Sequence, residues 1–156
     1  MITIETLGHE KMIAEHLVLD YNGTLAIDGI LIDGVLPILR TLSSHITIHI
    51  LTADTFGTSK EELIGINCIL KILTPDLQDL YKESYVDNLG REKVIAIGNG
   101  ANDALMLEAA ALGIAVIQKE GASRKAIDSA DIVCTSIFDA LDLLAKPLRL
   151  LATLRK

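Results

Sequence analysis

Residues 17–24 read Leu-Val-Leu-Asp-Tyr-Asn-Gly-Thr. Three apolar residues lead directly to Asp20, and a Gly-Thr pair follows three residues later. This pattern predicts a buried strand that ends at a carboxylate facing a tight loop. Because ligands of open α/β sheets bind outside the carboxyl ends of the parallel strands, we predict that Asp20 lies at a functional site.

Apolar segments of strand length alternate with helical patterns along the rest of the chain. The expected strands cover residues 46–51, 67–72, 93–97, 112–117 and 131–134, and the expected helices cover 34–44, 58–64, 76–89, 104–111, 122–129 and 137–151, the last broken at Pro147. The strands are almost continuously apolar, which is typical of a parallel sheet buried on both faces. We therefore predict an α/β fold, a three-layer Rossmann-like parallel sheet with right-handed crossovers and helices on both faces.

Two short hairpins are expected beside the first core strand. Residues 2–6 and 11–15 suit a hairpin that turns around Gly8. The pair Asp28-Gly29 separates two short apolar runs, and Asp-Gly in that setting favours a two-residue hairpin turn. The second hairpin should form a small flap beside Asp20.

The composition sets limits on the class of protein. At 156 residues, the chain is expected to form a single domain over residues 1–156. Half of the residues are hydrophobic but only 3% are aromatic, so the core should be aliphatic. Lys and Arg number 14 against 21 Asp and Glu, giving a net charge of -7, and this balance argues against a nucleic-acid partner.

Cysteine usage and the N-terminus both favour a cytoplasmic protein. Cys68 and Cys134 lie far apart in apolar runs, which indicates two buried thiols rather than a metal or redox motif. Glu5 and Glu10 fall where a signal peptide would need a basic start and a long apolar run. Because charges interrupt every apolar stretch before it reaches 18 residues, no membrane partner is expected.

Polar residues follow three of the predicted strands and should meet at one edge of the sheet. They are Asp20 with Asn22, Thr52 with Asp54, and the loop Asn99–Asp103, and the helix carrying Lys82 leads into this edge. Phosphoryl transfer to an aspartate requires a carboxylate nucleophile, a hydroxyl, an ammonium group and a second carboxylate of this kind. Asp20 can attack phosphorus, Thr52 can bind a phosphate oxygen, Lys82 can offset the charge, and Asp103 can help to hold Mg²⁺.

The order of these motifs resembles that of the haloacid dehalogenase-like hydrolases. The segments DYNGT, LTAD, the helical Lys82 in YKESYVDNLG, and GNGAND are most similar to the phosphorylation domain of P-type ATPases, over roughly residues 16–134. That domain carries Asp-Lys-Thr-Gly-Thr, Thr-Gly-Asp, a helical Lys and Gly-Asp-Gly-x-Asn-Asp. The resemblance implies a Rossmann-like core, a magnesium cofactor and an aspartyl-phosphate intermediate.

The same resemblance implies a phosphatase rather than a transporter. The interval between Thr24 and Thr52 is too short for the nucleotide-binding domain of the pumps or for a large cap domain. The likeness is therefore to small, soluble members without a cap, which act on phosphorylated metabolites. Such members often cover an open site with a neighbouring subunit, so a homo-oligomer is expected.

Two residues depart from the family pattern. Phosphatases of the family usually carry a second Asp as general acid and base where this chain has Asn22, and the pumps have Thr there. Asn99 replaces the first acid of the last motif and offers Mg²⁺ a neutral oxygen without a charge. We therefore expect slow or selective turnover that favours activated leaving groups such as aryl and acyl phosphates.

The candidate site residues fall into three sets. The catalytic residues are Asp20, Asn22, Thr52 and Lys82; the phosphate-binding residues are Gly23, Thr52, Ala53, Lys82 and Asn102; the Mg²⁺ ligands are Asp20, Asn22, Asn99 and Asp103. Two alternatives stay open for the lysine, Lys71 and Lys93, and Asp54 is a candidate for a supporting role. The alternative function is a phosphate-binding or protein-interaction module that has kept the fold and lost turnover.

Overall fold

Six parallel strands form the main sheet of the computed structural model, which describes residues 1–4 and 11–154. In chain order the strands are β1 (Ile2–Ile4), β2 (Met12–Ala14), β3 (His16–Asp20), β4 (Ala26–Ile27), β5 (Ile30–Leu31), β6 (Thr47–Thr52), β7 (Cys68–Ile72), β8 (Val94–Gly98), β9 (Leu112–Val116) and β10 (Ile132–Cys134). The sheet has the order β10-β9-β8-β3-β6-β7, and each neighbouring pair is parallel. The carboxyl ends of β3, β6 and β8 therefore lie side by side.

Helices cover both faces of this sheet. They are α1 (Val35–Leu42), α2 (Ser59–Glu62), α3 (Gln78–Leu89), α4 (Ala104–Ala109), α5 (Arg124–Ser129), α6 (Ile137–Ala145) and α7 (Pro147–Leu154), with 3₁₀ turns at Arg91–Lys93 and Ala101–Asp103. Leu17 and Leu19 pack in one aliphatic core with α1, α6 and α7, whereas Val18 packs in a second with α3, α4 and α5. Successive side chains of a strand point to opposite faces, so one apolar strand supplies both cores.

The predicted fold class is confirmed, and the bounds of the core strands and helices agree within two residues except at the last helix, which ends at Leu154 rather than at residue 151. The start of α3 has a clear physical cause, since this helix begins at Gln78 rather than at residue 76. The preceding Leu77 adopts a left-handed conformation with φ 54, and such a residue cannot belong to a right-handed helix. The helix predicted over residues 137–151 divides at Lys146 into α6 and α7, so the break at Pro147 is also found.

Both predicted hairpins are present. Strands β1 and β2 pair antiparallel, and the turn predicted around Gly8 lies outside the described residues. Strands β4 and β5 form the flap, with φ 52 at Asp28 and φ 78 at Gly29, and two positive φ angles are the requirement of a type I′ turn. Residues 21–46 are all described and contain only the flap and α1 as regular elements, which confirms that no cap domain is inserted there.

Side chains from both sides hold the flap in place. The carbonyl of Gly29 accepts hydrogen bonds from Tyr21 Oη at 3.2 Å and from Thr58 Oγ1 at 2.5 Å. The backbone N–H of Asp28 donates to Glu120 at 2.8 Å, and that of Leu31 donates to Glu62 at 3.1 Å. The flap is therefore anchored to the loop after β6, to α2 and to the loop after β9.

His49 forms a polar connection within the second core. It lies on β6, is 2% exposed, and its two ring nitrogens lie 3.1 Å from Nδ1 of His16 and 2.9 Å from Oη of Tyr85. Burial, with smaller contributions from His16 and Lys71, lowers the pKa of His49 to about 4. His49 is therefore a neutral structural residue at neutral pH.

We predict that His49 makes the protein less stable as the pH falls from about 6.5 to about 4. In the unfolded chain His49 takes up a proton near its ordinary pKa of 6.5, whereas the folded state keeps it neutral down to about pH 4. Proton uptake therefore favours unfolding across this window, by about 2–3 kcal/mol in total. Urea unfolding of the parent and of His49→Gln at several pH values measures the difference.

The control for this prediction is His45→Gln, because His45 is exposed. Contributions from other titrating groups cancel when each variant is compared with the parent. Stability curves of His49→Gln and the parent that stay parallel between pH 6.5 and 4 would contradict the prediction.

Candidate active site

The centre of the candidate site is a buried lysine between two carboxylates. Lys82 Nζ donates to Asp20 Oδ1 at 2.7 Å and to Asp103 Oδ1 at 2.6 Å. Lys82 and Asp103 are 0% exposed, and Asp20 is 7% exposed. The three side chains come from β3, α3 and the 3₁₀ turn after β8, so one cation joins three distant parts of the chain.

Sequence features around β8 bring Asp103 to this position. The other oxygen of Asp103, Oδ2, accepts hydrogen bonds from the backbone N–H groups of Asn99 at 2.9 Å and Gly100 at 2.7 Å. A side chain at Gly98 would place its Cβ 2.5 Å from Cγ of Asp103. The tight turn of the GNGAND motif thus needs glycine at the end of β8 to admit the carboxylate.

Thr24 connects the first motif with the last. Its hydroxyl lies 3.0 Å from Oδ1 of Asn99 and 3.3 Å from Oδ2 of Asp20. The orientation of the Asn99 carboxamide follows from its other contact, because Nδ2 donates to the carbonyl of Gly121 at 3.0 Å. Oxygens of Asp20 and Asn99 therefore lie around one buried hydroxyl.

The loop between Asp20 and Thr24 also contains a buried oxygen without a partner. Oδ1 of Asn22 has no hydrogen-bond partner among the described residues, and an unpaired buried oxygen is costly unless something binds it. Gly23 has φ 81, and a Cβ there would overlap the Asn99 carboxamide, so two separate constraints require glycine. Carboxylate and amide oxygens are the ligands that Mg²⁺ prefers, and the residues of this site fit such an ion.

Burial shifts the pKa values of the charged groups. Burial and the charge of Asp103 raise the pKa of Asp20 above its ordinary value, although Lys82 acts in the opposite direction. Burial alone would lower the pKa of Lys82, but the two carboxylates outweigh it and raise that pKa. Burial and the neighbouring carboxylate thus oppose ionisation of Asp20, while the two carboxylates favour the charged form of Lys82.

The remaining predicted site residues lie at the same edge of the sheet, and the side-chain hydrogen bonds found for them go to groups other than Asp20. Thr52 ends β6 beside β3, is fully buried, and its Oγ1 accepts the N–H of Asp54 at 2.9 Å. Asp54 in turn accepts the N–H of Ser59 at 3.0 Å. Ala53 lies between them and is half-buried, and Asn102 donates to Gln78 at 2.8 Å.

The geometry decides between alternatives that the sequence leaves open. Lys82 reaches Asp20, whereas Lys71 is exposed and Lys93 pairs with Glu15 at 3.3 Å. Asp103 accepts hydrogen bonds on both oxygens and holds Lys82, and its role as a metal ligand stays a prediction.

Two residues around the site were not among the candidates from the sequence. Thr24 belongs to the DYNGT motif, which was the available signal for it. Gln118 donates to the carbonyls of Gly23 and Thr24 at 3.1 and 2.8 Å, and no motif marks it.

Comparisons with known proteins place the chain in a family. A family model for haloacid dehalogenase-like hydrolases matches residues 77–139. An uncharacterized protein of Methanocaldococcus jannaschii is 53% identical over 79 residues, which is 51% of this chain and 80% of that protein. Copper-exporting P-type ATPase B of Enterococcus hirae is 41% identical over 76 residues, which is 48% of this chain and 9% of the pump.

The fold agrees with the sequence matches. The structure of 3-deoxy-D-manno-octulosonate 8-phosphate phosphatase from Moraxella catarrhalis, in complex with magnesium, phosphate and its sugar ligand, superposes with a TM-score of 0.60 at 18% identity. The superposition covers 89% of this chain and 90% of that one. Among the described residues, no helix is long and apolar enough to cross a membrane. With the buried lysine between two carboxylates, the four motifs in order and these matches, the chain belongs to the haloacid dehalogenase-like hydrolases.

Proposed function

We propose that this protein is a magnesium-dependent phosphatase that hydrolyses small phosphomonoesters through an aspartyl phosphate on Asp20. The observation that carries the proposal is the buried trio of Asp20, Lys82 and Asp103, in which two acidic side chains share one ammonium group. Removing such a group of side chains from water is costly, and catalytic sites are where such costs are usual. The oxygens of Asp20, Asn22 and Asn99 would hold Mg²⁺, which would offset the negative charge of the phosphate when bound.

The first step is attack of an Asp20 carboxylate oxygen on phosphorus. A new O–P bond forms while the bond from phosphorus to the leaving oxygen breaks, and the leaving group departs with the electron pair. Lys82 holds Oδ1 of Asp20 and keeps the carboxylate in a fixed orientation. Asp103 fixes Lys82 in turn, so its role is positioning.

The second step is the attack of water on the aspartyl phosphate. This step transfers the phosphoryl group to water, releases Asp20, and requires a base that takes a proton from the water. The carboxamide of Asn22 is too weak a base to take this proton at neutral pH and too weak an acid to protonate a leaving group. Phosphorylation with a good leaving group should therefore outpace dephosphorylation, and turnover should be slow.

The second candidate function is a phosphate-binding module without turnover. The neutral amides of Asn22 and Asn99 favour it, because each stands where phosphatases of the family usually carry an acid. Beryllium fluoride with Mg²⁺ separates the two candidates, since it forms a phosphoryl-like adduct on a competent aspartate. An adduct on Asp20 that is absent in Asp20→Asn supports the enzyme, and binding without any adduct supports the module.

We predict that Lys82→Met destabilises the fold by about 3–5 kcal/mol, because it leaves two buried carboxylates without their cation. The matched control is Lys93→Met, which removes a surface ion pair with Glu15 and should cost about 1 kcal/mol or less. Adding Asp103→Asn to Lys82→Met should recover part of the loss, since it removes one of the two charges. Urea unfolding in the absence of metal gives the free energy of unfolding of the parent and of the three variants. A loss of stability in Lys82→Met no larger than that in Lys93→Met would show that Lys82 does not stabilise two buried carboxylates.

Hydrolysis of p-nitrophenyl phosphate should depend on both Asp20 and a divalent cation. We expect activity with Mg²⁺, none above background in EDTA, and none in Asp20→Asn, because the substitution removes the nucleophile. Asp128→Asn changes an exposed carboxylate on α5 and should keep the parent rate. Activity that survives both EDTA and Asp20→Asn would exclude the mechanism.

Replacement of Asn22 by Asp should accelerate steady-state hydrolysis. The new carboxylate can deprotonate the attacking water, and a positioned acid or base contributes about 10²-fold or more. The parent should release a burst of about one equivalent of p-nitrophenol per site, in the way typical of slow breakdown of a covalent intermediate, and the burst should vanish in Asn22→Asp.

The control for the Asn22 prediction is Asn88→Asp, which adds the same charge at an exposed position of α3. It should leave both the burst and the steady-state rate unchanged. An unchanged rate in Asn22→Asp, together with no burst in the parent, would show that Asn22 does not occupy the acid/base position.

A further inference from the structure

The loop that follows the nucleophile satisfies only part of its own hydrogen bonding. The carbonyl of Tyr21 accepts from the N–H groups of Thr24, Leu25 and Ala26 at 3.2, 2.8 and 2.9 Å, and Gly23 N–H donates to Ala26 at 2.7 Å. The carbonyls of Gly23 and Thr24 are instead bound from outside the loop, by Nε2 of Gln118. One side chain thus fixes the two peptide groups that precede and follow Thr24.

The three polar contacts of Gln118 match a carboxamide and no other side chain of its size. Nε2 has two protons for the two carbonyls, and Oε1 accepts the N–H of Ile137 at 2.8 Å. Glutamate would place an oxygen against two carbonyl oxygens, and methionine would supply no donor at all. Leaving two carbonyls of a half-buried loop unpaired would cost free energy and loosen the loop.

The hydrogen bonds of Gln118 connect it to the candidate site. The carbonyls that Gln118 holds flank Thr24, whose hydroxyl contacts oxygens of Asn99 and Asp20. The same loop after β9 also supplies Gly121, whose carbonyl accepts Nδ2 of Asn99. We infer that Gln118 is a positioning residue, which orients the Asp20 and Asn99 oxygens through Thr24; its effect on turnover rests on the proposed phosphatase function.

If Gln118 had a purely structural role, that role would come from its third contact, in which Oε1 accepts the N–H of Ile137 at the start of α6. That helix end has its own cap, because Ser136 Oγ accepts the N–H of Asp139 at 3.0 Å. Ser136→Ala removes this cap at a typical cost of about 1 kcal/mol without touching the loop of Thr24. It is therefore the matched control for Gln118 variants that lose comparable stability.

The experiment compares the parent with Gln118→Met, Gln118→Glu and Ser136→Ala in the full chain. With p-nitrophenyl phosphate and Mg²⁺, we expect both Gln118 variants to lower kcat by about tenfold or more while KM changes by less than about threefold, because misplaced reacting groups slow the chemical step. The Mg²⁺ concentration for half-maximal activity should rise in the same variants. Ser136→Ala should leave kcat, KM and the Mg²⁺ concentration for half-maximal activity unchanged.

A second readout does not depend on turnover. In ¹H–¹⁵N spectra, the side-chain amide of Asn99 and the backbone amides of Gly23 and Thr24 should shift in Gln118→Met and stay in place in Ser136→Ala. A Gln118→Met protein with the kcat of the parent and unshifted Asn99 signals would overturn the inference. If the parent shows no activity, the phosphatase proposal fails, while the spectra and their titration with Mg²⁺ still decide the role of Gln118.

Discussion

The contact on which the rest of the site depends is the pair of hydrogen bonds from Lys82 to Asp20 and Asp103. A fully buried ammonium group is stable only where nearby carboxylates offset the cost of removing it from water, and here two carboxylates do so. The requirement fixes the end of β3, the path of α3 and the turn after β8 relative to one another. Glycine at position 98 follows from the same requirement, because any side chain would displace Asp103.

Much of this arrangement can be predicted from the sequence, because its determinants are local. Apolar runs that end in polar residues predict strands, and parallel strands bring their ends to one edge, so Asp20, Thr52 and Asn99 are expected together. The same kind of local pattern predicts the Asp28-Gly29 turn of the flap, which has the expected positive φ angles.

What the sequence does not predict depends on partners that are distant along the chain. The start of α3 is displaced by the left-handed Leu77, a conformation that a leucine gives no reason to expect. The sequence marks Asp103 as an acidic residue of the last motif, but it does not predict that Asp103 binds Lys82 and two backbone N–H groups. Gln118 lies 94 and 95 residues from the two carbonyls that it holds, and no spacing rule connects such positions.

The two amides of the site are best understood through its charge. Asp20 and Asp103 already share one cation, Lys82, and carboxylates in place of Asn22 and Asn99 would put four acidic side chains beside that cation in a largely buried space. Each added carboxylate would raise the pKa of Asp20 further and increase the cost of the site without a cation. Under the proposed mechanism, neutral oxygens would keep the ligand geometry and avoid that cost, but they would attract Mg²⁺ less strongly and supply no base. The same substitution that stabilises the metal-free site would then slow the breakdown of a phosphorylated Asp20, so stability and turnover would oppose each other at Asn22.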